Sequence, residues 1–157
     1  MKRVMVLGRG GAGKSAFGRR LAQATVLPLL ELDSVFWRED LSHPTAAEWV
    51  ATQEELVAMP AWILDGDLGR YDVLTPRLRA ADTIVILDFS LWRSAWQWVR
   101  RGRERRDYWT WVMTLRRRHL PNILREIQAE APLAQLRVAR GPRDLEFRSW
   151  SLGRDVD

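Results

Sequence analysis

The sequence predicts an α/β fold of three layers, with a central parallel sheet of five strands between helices and a short, helical, arginine-rich segment. Apolar runs of strand length alternate along the chain with segments whose apolar residues recur at helical spacing, the pattern of successive βαβ units. The first run, Val4–Leu7, ends in a dense group of glycines and is followed at once by a helical pattern. The basic residues are also concentrated in one stretch.

The elements follow in order. Val4-Met5-Val6-Leu7 reads as a buried strand, Gly8 to Gly13 as a turn, and Lys14 to Ala24 as a helix carrying Phe17, Leu21 and Ala22. Leu29 to Leu32 reads as a second strand ending at Asp33. Thr45-Ala46-Ala47-Glu48 fits a capping box, and the helix it opens runs toward Pro60. Ala61–Leu64 is the third strand, Thr75–Ala81 a brief helix, and Thr83–Leu87 the most strand-like run of the chain. Leu91–Arg101 and Tyr108–Arg118 read as helices around a charged link centred on Gly102. Pro121 starts another helix, Leu136–Ala139 is the last strand, and Gly141-Pro142 leads into a C-terminal helix. No repeat, low-complexity tract or long linker divides the 157 residues, so a single domain over 1–157 is expected.

Composition narrows the chemistry. With no Cys, a disulfide framework, a thiolate nucleophile and a Cys-based metal site are excluded, and two His give poor material for a His-rich metal cage. The N-terminal apolar run is too short for a signal peptide, and no stretch approaches the ~18 apolar residues of a membrane span. The expectation is a cytoplasmic protein with no membrane partner. The formal charge is +5, and 23 of the 25 basic residues are Arg. Between Leu91 and Leu120 nine arginines face only Glu104 and Asp107, a net +7, which leaves −2 for the rest of the chain. A local arginine cluster suits a group that grips phosphate.

Gly8-Arg9-Gly10-Gly11-Ala12-Gly13-Lys14-Ser15 matches G-x-x-x-x-G-K-[ST] at every fixed position, between a strand and a helix. Glycines let backbone N–H groups turn inward around a phosphate, and the helix adds its positive N-terminal end. Gly8, Arg9, Gly10, Gly11, Ala12, Gly13, Lys14, Ser15 and Ala16 are therefore the candidate triphosphate-binding residues. Lys14 is expected to reach the β- and γ-phosphates and the Ser15 hydroxyl to ligate Mg²⁺. Ligands of open α/β sheets gather at the carboxyl ends of the strands, where the sequence places Asp33, Asp65, Asp88 and Arg140-Gly141. Three carboxylates beside a triphosphate loop suit phosphoryl transfer, one supporting Mg²⁺ and one orienting or deprotonating an acceptor hydroxyl.

Through this loop, Leu32-Asp33-Ser34-Val35-Phe36-Trp37, Trp62 to Arg70 and Ala81 to Phe89, the chain resembles the adenylate-kinase-like P-loop kinases. It is most similar to the small bacterial DNA topology modulation proteins, or kinase-like ATPases. The Asp65-Gly66-x-x-x-Arg70 segment is similar to the Asp-Gly-Phe-Pro-Arg stretch of adenylate kinases, without its Phe-Pro. Asp33 lies as far from the loop as the substrate carboxylate of shikimate-kinase-like enzymes, whose Gly-rich substrate loop is absent. The resemblance implies an ATP- and Mg²⁺-dependent phosphotransferase with a nucleotide, nucleoside or other small hydroxyl-bearing acceptor. It implies that Asp65 is the acidic partner of Mg²⁺ and that Arg70 contacts the acceptor or the transferred phosphate. Arg100, Arg101, Arg105 and Arg106 are then lid arginines, Arg101 and Arg105 catalytic among them, over a lid of about 100–107 that is shorter than in many relatives. Arg140 falls where the family holds the adenine ring.

Two features stay open. Trp92, Trp96, Trp98, Trp109 and Trp111 share the arginine-rich stretch, and they read as core packing, as a self-association surface of a homodimer, or as a base-stacking surface. The last option leaves an alternative function, a nucleotide-binding, DNA-associated regulator or ATPase. Acceptor specificity is expected in Phe36 to Met59 and around Arg70 to Arg77, where Trp37, Arg38 and Trp49 form no decodable pattern. His43 and His119 stand alone, suited to surface or cap roles.

Overall fold

An uncharged run such as Val4–Leu7 belongs in a sheet covered on both faces, and it forms the middle of one. The computed structural model describes residues 1–8, 12–40, 42–88, 120–141 and 144, and for Arg70 the backbone alone. Strands β1 (Arg3–Gly8), β2 (Leu29–Glu31), β3 (Trp62–Asp65), β4 (Thr83–Leu87) and β5 (Gln135–Ala139) make a five-stranded parallel sheet in the order β2-β3-β1-β4-β5. The described helices are α1 (Lys14–Thr25), α2 (Leu32–Phe36), α3 (Ala46–Val57), α4 (Thr75–Ala80) and α5 (Leu120–Glu130), with a 3-10 turn at Gly69–Tyr71. The chain lays β2 and β3 on one side of β1 and β4 and β5 on the other. The carboxyl end of β1 is therefore a topological switch point, the usual ligand crevice of such sheets.

Alternation along the strands builds two cores. Val4, Val6, Ile63, Val85 and Leu87 pack on Phe17 and Leu21 of α1. Met5, Leu7, Trp62, Leu64, Ile84 and Ile86 pack with Leu32, Phe36, Trp49, Leu78 and Ile127 from the other helices. Each fully buried aliphatic side chain contributes about 1.5–3 kcal/mol. The capping box forms as the sequence requires: Glu48 N–H donates to Thr45 Oγ1 at 3.3 Å, and Thr45 N–H donates to Glu48 Oε2 at 2.8 Å. That fixes the start of α3 and turns Trp49 and Gln53 inward, Gln53 donating to the Val73 carbonyl at 3.0 Å.

Several expected boundaries move. The second strand stops at Glu31, and Leu32 and Asp33 belong to α2, because Leu32 and Phe36 lie one turn apart and both enter the core. Gly66 seats against this turn, where a Cβ would stand 2.7 Å from Leu32 Cβ. Asp65 closes β3 rather than following it. Helix α5 begins at Leu120, with Pro121 in its first turn, where no N–H partner is lost. The expected helices over 91–101 and 108–118, the lid and the C-terminal helix lie outside the described residues.

Candidate functional site

The site starts where β1 ends. Gly8 has φ +140°, and a Cβ there would lie 2.6 Å from the Leu87 carbonyl oxygen of β4, so only glycine fits. Gly13, at φ +83°, is the N-cap of α1 in the left-handed region and brings no capping side chain. The first N–H groups of α1 thus keep their capacity for an anion. Lys14 extends along the loop and donates from Nζ to the Gly8 carbonyl at 2.8 Å. Ser15 hydrogen-bonds to Asp65 across the loop, Ala12 is buried, and Ala16 is exposed on the first turn.

Three carboxylates share the Lys14 ammonium. Asp65, only 4% exposed, has a shielded Oδ1 with no hydrogen-bond partner. Burial raises its pKa, Lys14 and Ser15 oppose the rise, and Glu31 and Asp33 add to it. Asp33, in the first turn of α2, is also raised by burial against Lys14, with Glu31 and Asp72 adding. It keeps an exposed flank, so its charge is better solvated than that of Asp65. Asp67 was not singled out by sequence reasoning. Its Oδ1 accepts the Gly69 N–H at 3.0 Å while Oδ2 is shielded and unpartnered. Burial raises it too, opposed by Lys14 and the Gly69 N–H. The signal available was the second acid of Asp65-Gly66-Asp67, two residues past a strand end. Asp88 is buried at the end of β4, its N–H donating to the Ala139 carbonyl at 2.8 Å.

The segment after β3 is organised by a buried ion pair. Arg77 of α4 donates to Asp72 and, at 3.2 Å, to the Gly66 carbonyl. Asp72 also accepts from Trp49 Nε1 at 3.3 Å and from the Leu68 N–H at 3.1 Å. Beside it the region in which specificity was expected forms an aromatic cluster. His43, which sequence reasoning left alone, stacks on Phe36 at 5.4 Å with an 8° interplanar angle and meets Tyr71 at 4.8 Å. Trp37 closes edge-on against Phe36, His43 and Tyr71.

No protein-family model matches this sequence, and no curated protein matches it. Solved structures do. A shikimate kinase from Acinetobacter baumannii, determined with shikimate, aligns with a TM-score of 0.65 at 15% identity, over 100% of this chain and 96% of that one. A sugar kinase from Janibacter sp. gives 0.55 at 18% identity, over 95% and 92%. A shikimate kinase from Bacteroides thetaiotaomicron gives 0.50 at 18%, over 92% of each chain. The fold is a P-loop kinase fold. At these identities the likeness extends to the fold alone.

Within this P-loop kinase fold the candidates separate into three groups. Gly8, Gly13, Lys14, Ser15, Asp33 and Asp65 come together around the Lys14 ammonium. Arg140 lies beyond the edge strand β5, two strands from β1, exposed, its N–H donating to Asp144 at 2.8 Å. Arg9, Gly10, Gly11, Arg101, Arg105 and the Arg70 side chain lie outside the described residues. Ser15 and Asp65 are hard oxygen donors, and the unpartnered Asp65 oxygen fits a divalent cation. Among the described residues no three His, Cys, Asp or Glu side chains are grouped to enclose a metal ion. A cation such as Mg²⁺ takes one or two protein ligands and completes its shell with phosphate and water. Among the described residues no helix is long and apolar enough to cross a membrane.

Proposed function

We propose that this chain is an ATP- and Mg²⁺-dependent phosphotransferase, acting in the cytoplasm as one domain on the hydroxyl of a small-molecule acceptor. The observation that carries the reading is the convergence of Asp33, Asp65 and Asp67 on Lys14, at the end of the central strand and beside an uncapped helix N-terminus. The P-loop kinase fold, shared with proteins described as shikimate and sugar kinases, supports it. The motifs Leu32–Trp37 and Asp65–Arg70 support a place beside the DNA topology modulation proteins within that fold.

Lys14 exchanges its Gly8 carbonyl partner for the β- and γ-phosphate oxygens, and the α1 N–H groups hold the phosphates in place. Ser15 and Asp65 would hold Mg²⁺, which when bound neutralises charge on the β- and γ-oxygens. Asp33, less enclosed than Asp65, orients the acceptor hydroxyl and takes its proton as the new O–P bond forms and the bond to ADP breaks. Arginines of the 100–106 segment and Arg70 would face the equatorial oxygens, where positive charge accelerates transfer on the order of 10³-fold or more. The test is calorimetric titration with ATP and Mg²⁺. Wild type binds and Lys14→Ala binds at least tenfold more weakly, whereas Asp33→Asn keeps nucleotide affinity and loses transfer by about 10²-fold or more. Wild type that binds no nucleotide, or a Lys14→Ala variant that binds equally well, overturns the assignment.

A further inference from the structure

A cleft of ≈ 140 Å³ opens between the 3-10 turn and α5, with Asp67 and Asp72 on one wall, Asn122 and Glu126 on the other, and Leu74 and Ile123 between them. On the scale of a water it has room for roughly ten such groups. Asp67 and Ile123 also line a narrower recess with Gly8, Leu87 and Asp88, so the cleft lies next to the end of β1.

Among the described residues the lining of this cleft carries three carboxylates and no cationic side chain. Asp72 is satisfied by Arg77, Trp49 and the Leu68 N–H. Arg77 is committed to Asp72 and Gly66. At the rim Arg125 is drawn to Asn122 at 2.8 Å, and Arg79 to Glu130 at 2.7 Å. Asp67 feels Lys14 and Arg77 yet has a shielded oxygen with no hydrogen-bond donor, and Glu126 has the Thr75 hydrogen bond and the attraction of Arg77 against the repulsion of Asp72 and Glu130. A buried carboxylate oxygen without a donor is costly, and a cationic donor is its best complement. A carboxylate ligand would add like charge, and a neutral hydroxyl would leave the excess uncompensated. Leu74 and Ile123 offer apolar surface to an organic stem, which a bare metal ion would leave unused.

We propose that this cleft binds a protonated amine of the phosphoryl acceptor between Asp67 and Glu126, making the acceptor an amino alcohol or amino sugar. The inference rests on the phosphotransferase reading and deepens it. The ammonium is held and not consumed, while the hydroxyl of the same molecule receives the phosphoryl group.

The test uses the full chain with Mg²⁺ and a non-hydrolysable ATP analogue, at pH 7.5 and constant ionic strength. Two matched series are titrated calorimetrically: ethanolamine, ethylene glycol and glycolate, then glucosamine, glucose and glucuronate. In at least one series the amine binds tenfold or more tightly than its neutral and anionic counterparts. Glu126→Gln removes that preference and Glu126→Asp restores part of it, with affinity for the ATP analogue read alongside. Equal affinity across both series, no binding by either amine, or a preference for glycolate or glucuronate overturns the proposal, and the wild-type titrations decide this even if a variant fails to fold. Failure to bind the ATP analogue would instead count against the phosphotransferase reading, so the two failures are distinguishable.

Discussion

Val26 holds a left-handed conformation, φ 60° and ψ 19°, at the end of α1, where its N–H donates to the Ala22 carbonyl at 2.8 Å. A β-branched residue is strained there, and glycine is the usual occupant. The side chain is 90% exposed, so removing it forfeits little packing. Val26→Gly should stabilise the protein by about 1 kcal/mol, read as a higher urea midpoint at unchanged slope. Nothing in the structure explains why valine stands at this position. Other residues differ sharply in how far their sequence announces them. Lys14 and Ser15 stand out because the motif G-x-x-x-x-G-K-[ST] fixes residue type, spacing and flanking elements together, and the structure supplies the strand and the helix that it calls for. Asp67 and Arg77 do not, because a charge is buried by what folds over it from elsewhere. Arg77 reads in sequence as one more polar residue of a short helix, yet it is fully buried.

The segment from Gly66 to α4 contains little regular structure, and Asp72 does for it what a ladder of backbone bonds does for a strand. Asp72→Ala would leave Arg77 buried without its partner and release Trp49 Nε1 and the Leu68 N–H. A loss of about 3–5 kcal/mol is expected in equilibrium unfolding. Asp72→Ala combined with Arg77→Met should lose less than the single change, since no buried charge then stands alone. Among the elements, β4 was legible to the residue, because five consecutive apolar or β-branched positions admit one reading. The capping box placed α3 as firmly, its signal being local and chemical. The Leu32–Phe36 turn was missed because a short apolar run does not distinguish strand from helix. The core beneath Leu32 decides it, and that places Asp33 on a helical turn instead of at a strand end. The aromatic cluster was illegible for a similar reason: Phe36, His43, Trp49 and Tyr71 meet only once α2, α3 and the 3-10 turn are packed.

Across the whole molecule, grouping Asp33, Asp65 and Asp67 near Lys14 in a buried setting costs stability. Each is raised above its ordinary value of 3.8 by burial. The folded chain therefore holds these protons to higher pH than the unfolded one. Their contribution to stability is full below about pH 4 and is lost as pH rises through the raised values. Asp65→Asn should accordingly melt about 2–4 °C higher than wild type at pH 7 without ligand, with the difference closing toward pH 4, while losing stabilisation by ATP and Mg²⁺. Thermal melts across pH 4–8, with and without nucleotide, check both halves. The strand order has a consequence for biosynthesis. The partners of β1 are Trp62–Asp65 and Thr83–Leu87, and Arg3 pairs with Trp62, so its first neighbour is synthesised some 59 residues after it. At translation rates of about 5–20 residues per second, the apolar Val4–Leu7 run waits roughly 3–12 s with both edges bare. The strand that ends at Gly8 is thus an apolar segment of the nascent chain that chaperones could shelter.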